Sequence, residues 1–486
     1  MKIKLLSPLA LLLCSASFAV HAQESHSVES PHLESRLLRL ESENARLQTY
    51  IHNMEQRLQH SSHHHKASSP ETASTPKNFK ENVDQALAGS FPNSYRIPGT
   101  DISFGWIGFM KADFIYDADV AGTGYGYYAT FAPNIPVSGT EQHDRRGEFK
   151  FTARQSNIGF RTATPIADGE FQLLFDGDFY GLTSQAGAEQ SISGNDFSIR
   201  SFYGKWITPS KKHEWLFGQD YTAFQNNGAY AEYVDYQGST GINWVRQTQL
   251  RYTYYIEPNL KVFGSIENPE HTYLEKDGST ITARDTRNGQ LTAAERGFGL
   301  DGLPDFVIGT TLEGKMGHVS LRGLFRQLRV KTGTEKRVRE NAHGLGFTGH
   351  INVTEGGDRL LWQVSYGRGI GRYVSEGVNY DAVYNLQKNS LKTLTLVGGC
   401  LAYEHRWTPT VRSTYAYGMT HISLPPELRV TGQEINKNMH SQHINLIWSP
   451  LKHMDTGIEY AKVDRTLYDG RNGKLNRVQF MVMYKF

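Results

Sequence analysis

Six arginines carry the chemistry this sequence offers. Arg154, Arg200, Arg251, Arg322, Arg326 and Arg412 stand at positions interleaved with apolar neighbours, and the carboxylates Asp176, Asp178, Glu267 and Glu459 occupy equivalent places elsewhere. An arginine fork binds both oxygens of a carboxylate at once. A wall of guanidinium groups opposed to a patch of carboxylates sets up a transverse field in a narrow passage, which lowers the cost of admitting anions or solutes with separated charges. The competing reading is that these groups only solvate a wet interior and pair with one another. The sequence favours the first, so the six arginines with Asp176 and Asp178 are the candidate solute-binding residues.

Other chemistry is thinly represented. His63, His64 and His65 adjoin on a Ser-, His-, Thr- and Pro-rich tract with no second cluster nearby, which reads as solvated chain and not as a metal site. His143 and Asp144 are adjacent, but no nucleophile elbow accompanies them, which argues against a lipase or protease. No enzyme activity and no cofactor are expected. A net charge of +2 is too balanced for a nucleic-acid partner.

The elements that position the arginines must be strands. From Thr100 to Asp117, Ile102, Phe104, Trp106, Met110, Ala112, Phe114 and Tyr116 share one face, while Asp101, Ser103, Lys111, Asp113 and Asp117 share the other. Soluble sandwich strands are about five or six residues long, so alternation of this length suits a tilted membrane strand. Ile107 and Phe109 interrupt the wet face and imply an interface or an inward loop above them. Mean hydropathy is −0.50 with 12% aromatic residues, 47 Gly and 26 Tyr, a balance that fits a barrel hiding apolar positions among polar ones.

Similar segments recur to the terminus. Short turns are expected at Pro165–Gly169, Pro209–Lys212, Glu257–Asn259, Gly314–Gly317, Glu355–Asp358, Trp407–Thr410 and Ser449–Lys452. Longer polar loops fall at Ala118–Gly147, Gln225–Gly241, Asn268–Leu303 and Ser375–Leu391. Tight turns on one rim and long loops on the other predict an all-β fold, a closed antiparallel transmembrane barrel of about 16 strands over residues 98–486, with the turns periplasmic. Between Glu148 and Ala163 the face carrying Phe149, Phe151 and Ala153 gives way to one carrying Ile158 and Phe160, so Arg154 and Arg161 are both luminal only across a bulge. The last strand places Val478, Phe480, Val482, Tyr484 and Phe486 on one face; Tyr484 and the terminal Phe486 resemble the assembly signal of outer-membrane proteins.

The N-terminal region has a different logic. Met1, Lys2 and Lys4, an apolar run from Leu5 to Leu13, and Val20–Ala22 form a secretory signal peptide over residues 1–22. Its apolar run is far shorter than the roughly 20 residues a membrane helix needs. Leu13 before Cys14 argues against lipid attachment. Only Cys400 then remains, which excludes an intramolecular disulfide. Leu33, Leu37, Leu40, Leu47, Ile51, Met54 and Leu58 alternate by fours and threes, with Asn44 in the remaining slot, which predicts an α-helical parallel coiled coil within residues 23–60. Arg36–Glu41 resembles a motif of three-stranded coils, whereas a buried Asn44 is better known from dimers. Residues 61–97 read as a flexible linker. An envelope tether is the structural alternative, but only about ten residues separate the cleavage site from the first heptad.

Four blocks add a family resemblance: Ile97–Asp117 (IPGTDISFGWIGFMKADFIYD), Phe151–Arg161 (FTARQSNIGFR), Phe197–Lys205 with Leu216–Phe224 (LFGQDYTAF), and Tyr366–Tyr373 (YGRGIGRY). Together they resemble the DcaP-like outer-membrane porins. The resemblance implies a homotrimeric 16-stranded channel in outer-membrane lipid, with a periplasmic coiled coil and uptake of small anionic solutes such as dicarboxylates. It points to Arg154, Arg200 and Arg251, which lie in or near the blocks.

Overall fold

The computed structural model describes residues 87–486 except 120–128, 131–134, 182–195, 276–279, 283–297, 300–301, 332–336, 375–378, 386–387 and 430–434. The signal peptide, the heptad residues Leu33 to Leu58 and His63–His65 lie outside the described residues.

Sixteen antiparallel strands form a closed barrel. They are β1 (Ser103–Asp119), β2 (Arg146–Thr152, resuming at Asn157–Ile166), β3 (Gly169–Gly181), β4 (Asp196–Ile207), β5 (His213–Tyr221) and β6 (Arg246–Glu257). β7 (Leu260–Glu267), β8 (Asp305–Gly314), β9 (Gly317–Lys331), β10 (Arg337–Asn352) and β11 (Arg359–Arg368) continue the wall. β12 (Thr395–Arg406), β13 (Val411–Ser423), β14 (Asn436–Leu451), β15 (Met454–Leu467) and β16 (Asn472–Lys485) complete it. β16 pairs with β1 in the register Met110 to Tyr484 and Asp117 to Arg477, so no edge is left unpaired.

The alternation read from β1 is observed. Trp106, Met110, Phe114 and Tyr116 are exposed on the outer wall, and Lys111, Asp113, Ile115 and Asp117 are buried inside. Because the side-chain period is two, each strand presents an apolar exterior and a polar interior from one sequence. All seven expected short turns connect strands, the last shifted to Lys452–His453. Ala167 and Asp168, at φ 48° and 62°, both lie in the left-handed backbone region and form the two-residue turn whose twist matches the right-handed twist of the flanking strands.

The phase change in β2 is also present. Phe149 and Phe151 face outward before the break, Ile158 does so after it, and Ala153–Ser156 absorb the shift. The Ser156 hydroxyl accepts from the Lys111 N–H (3.0 Å) and donates to the Lys111 carbonyl (3.1 Å), replacing the missing ladder bonds on β1.

Candidate pore lining

The 24 residues between β5 and β6 do not project from the rim. Residues 222–245 turn inward and lie against the inside of the wall, mostly buried. Their anchors run around the barrel. Asn226 donates to His318 Nε2 on β9 (2.8 Å) and to Thr348 Oγ1 on β10 (2.9 Å). The Ala229 carbonyl accepts from Gln363 on β11 (3.0 Å). Arg412 on β13 grips Glu232 with two bonds of 2.6 Å and reaches Asp455 on β15 at 2.9 Å. Glu459 on β15 accepts from the amides of Val234 (2.7 Å) and Asp235 (3.3 Å), and Lys111 on β1 donates to the Val234 carbonyl (2.6 Å). Tyr236 donates to Asp178 on β3 (2.7 Å). Burial pushes the Asp235 carboxyl up against the opposing pull of Arg477.

This arrangement decides what each candidate arginine can do. Arg200 lies 3.7 Å from both Asp176 and Asp178, and donates to the Tyr221 hydroxyl at 3.0 Å. Those carboxylates sit beside the guanidinium on the neighbouring strand, so the expected opposition across the passage is corrected to adjacency. Glu267 likewise serves the loop, accepting from the Thr222 hydroxyl (2.5 Å) and the Ala223 amide (2.8 Å). Arg326 is closed to solute: its side chain is 0% exposed, 2.8 Å from Asp305 and 2.9 Å from Asp381, with the Tyr373 ring against it. Arg412 is the clamp on Glu232, and Arg154 is buried at the β2 break.

Arg251 and Arg322 are different. Arg251 donates to Gln249 (2.9 Å) and to the Tyr221 carbonyl (2.8 Å), and stands 3.8 Å from Asp220. Arg322 donates to Ser320 (3.1 Å) and to the carbonyls of Ala223 and Gln225, with the Phe263 ring 5.0 Å away. Among the described residues no carboxylate pairs with Arg322. Both arginines line a cavity of about 230 Å³ with Lys261, Glu214 and Asp220. Arg322 and Lys261 continue into a second cavity of about 400 Å³, where His318 and His350 face each other with ring centroids 4.6 Å apart. Lys261 was missed in the sequence because Phe263 interrupts the polar alternation Lys261, Ser265, Glu267, although the period-two count reaches it.

The sequence profile of the DcaP outer membrane protein family matches residues 96–486. The chain belongs to the DcaP outer membrane protein family. Among solved structures, the outer membrane channel DcaP of Acinetobacter baumannii is similar at TM-score 0.65 and 22% identity, covering 82% of this chain and 100% of that one. More remote are an anion-selective porin from Comamonas acidovorans, at TM-score 0.47 and 9% identity over 79% of this chain and 100% of that one, and Salmonella typhi OmpF in complex with daunomycin, at 0.48 and 11% over 79% and 98%. No curated protein sequence matches. A DcaP-family barrel is an outer-membrane channel of the porin type, and neither its family nor its fold is that of an enzyme.

Proposed function

We propose that this DcaP-family chain is a passive porin, working as a homotrimer, that admits small anionic solutes such as dicarboxylates. The observation that carries this reading is Arg322. Its guanidinium has neutral carbonyl and hydroxyl partners, no ion-paired carboxylate among the described residues, and a place on two luminal cavities beside Arg251 and Lys261. A cation fixed by neutral groups keeps its field available to a passing anion, whereas the Arg200 and Arg326 fields are largely cancelled by adjacent carboxylates. Arg322 would then bind solute, with Arg251 beside Asp220, Lys261 paired to Glu313 (2.8 Å), and Arg200, Asp176 and Asp178 shaping the passage. The heptad residues Leu33 to Leu58 would join subunits on the periplasmic side, below turns that face the same compartment.

Reversal potentials across planar bilayers under a salt gradient test this. Wild type should insert in steps of three and prefer anions, with that preference falling in Arg322→Ala and further in Arg251→Ala/Arg322→Ala. A cation-preferring parent, or a preference unmoved in both variants, would sink the anion reading.

A further inference from the structure

The outer wall of β9–β11 carries like charges in direct register at its loop-rim end. Outward positions run apolar through Val319, Leu321 and Phe325 on β9, Leu345 and Phe347 on β10, and Val364 and Tyr366 on β11, all exposed. Beyond that band the same outward positions become cationic. His343 is the register partner of both Phe325 and Arg368, Asn341 of Gln327, Arg339 of Arg329, and Arg337 of Lys331. Arg337, Arg339, His343 and Arg368 are exposed. Among the described residues, Arg329, Arg337, Arg339 and Arg368 have no ion-pair partner, and the Arg329 Nε donates only to neutral Gln327 (2.6 Å).

Like charges directly opposite on one sheet face are destabilising, and an antiparallel ladder that keeps them does so against its own stability. The corresponding end of β15 and β16 shows the ordinary solution: Asp464 stands opposite Lys474, with Lys462 3.6 Å from Asp464. From His343 to Arg337 is six residues, about 20 Å along the strand, which reaches from the edge of the hydrocarbon well into a headgroup layer.

We propose that this cationic ladder is a binding site for a phosphorylated glycolipid of the leaflet that meets the loop rim. Phosphate oxygens accept from the Arg339, Arg337 and Arg368 forks, and acyl chains lie on Phe325, Leu345, Phe347 and Tyr366 below. The occupant supplies the negative charge that the sheet itself leaves out. This site is on the outside of the wall and is independent of which solute crosses the lumen.

Native mass spectrometry of the detergent-solubilised full chain, mixed with diphosphorylated lipid A, tests it against dephosphorylated lipid A and phosphatidylcholine. The diphosphorylated lipid should remain bound, and Arg337→Gln/Arg339→Gln/Arg368→Gln should weaken it on the order of 100-fold, each lost charge being worth about fivefold. The control Lys462→Gln/Lys474→Gln should bind as the parent does. Equal retention of the dephosphorylated lipid, or equal binding by triple variant and parent, overturns the proposal. If the triple variant does not fold, judged by heat-modifiable migration, Arg339→Gln alone must still bind more weakly than the control.

Discussion

An arginine facing water and an arginine holding a wall together are written with the same letter and the same parity. Arg326 shows the second case: fully buried between Asp305 and Asp381, it also donates to the Gly369 carbonyl at 2.7 Å. Removing one partner of a buried charge network leaves the others uncompensated, so Arg326→Gln should destabilise the barrel by about 3–5 kcal/mol, seen as a lower midpoint for heat-induced migration in gels. Arg251→Ala takes the cation from Asp220 but leaves that half-buried carboxylate accepting from the Ser201 hydroxyl (3.0 Å), so the midpoint should fall by less than in Arg326→Gln. Asp358, at the turn rim, gives a pH-dependent case. The Arg406 amide (2.9 Å), the Tyr403 hydroxyl (3.1 Å) and His405 Nδ1 (3.0 Å) surround its carboxyl and hold it down to about 2. A depressed carboxylate stabilises the turn fully above its ordinary range, near 4, and that support is lost as pH falls through about 2. Amide exchange at Arg406 should therefore show an acid-sensitive protection that Asp358→Asn lacks. Which arginines face inward was legible from the period-two count; which carboxylates they meet was not. Arg412 finds Glu232 in a distant loop, and Arg477 finds Asp117 at the other end of the chain.

Among the elements, the strands and their short turns were readable because every one repeats the same two-residue alternation and ends on residues that tolerate a tight reversal. The β2 break was readable for a related reason, since a phase slip moves a whole apolar set to the other face. The inner loop was not. Its length and polarity suggested an ordinary external connection, and the clue lay in Phe224, Ala229, Val234, Ile242 and Val245, apolar residues that are fully or nearly buried and that an external loop would leave wet. Gly241 shows how closely this loop approaches the wall. At φ +84°, a Cβ there would lie 2.1 Å from the Met419 carbonyl oxygen and 2.6 Å from the Gly399 nitrogen. Gly241→Val should therefore lift the loop from β12 and β13 while leaving the strand ladder intact. Limited proteolysis should then cut within residues 222–245 in the variant and not in the parent, with a broader spread of single-channel conductance.

For the molecule as a whole, the first and last strands depend on each other. β16 is held by β15 on one side and β1 on the other, and Gln479 and Arg477 bond to Asp113 (2.9 Å) and Asp117 (2.7 Å) across that join. The terminal amide of Phe486 donates to the Gly108 carbonyl (3.2 Å), and Gly108 leaves room for the Phe486 ring, which a Cβ would approach to 3.0 Å. Phe486→Ala removes one ring from an exposed site, so stability after refolding in detergent should change little. Folded protein recovered from cells should fall if that ring is also the feature read during assembly, and quantifying both yields separates the two roles. The join between Asp117 and Arg477 has a further consequence. Those residues are 360 positions apart, so β1 keeps one flank unpaired until β16 is in place. A chain cut short of β16 would present two unpaired sheet margins, and its expected outcome is aggregation, not a smaller channel.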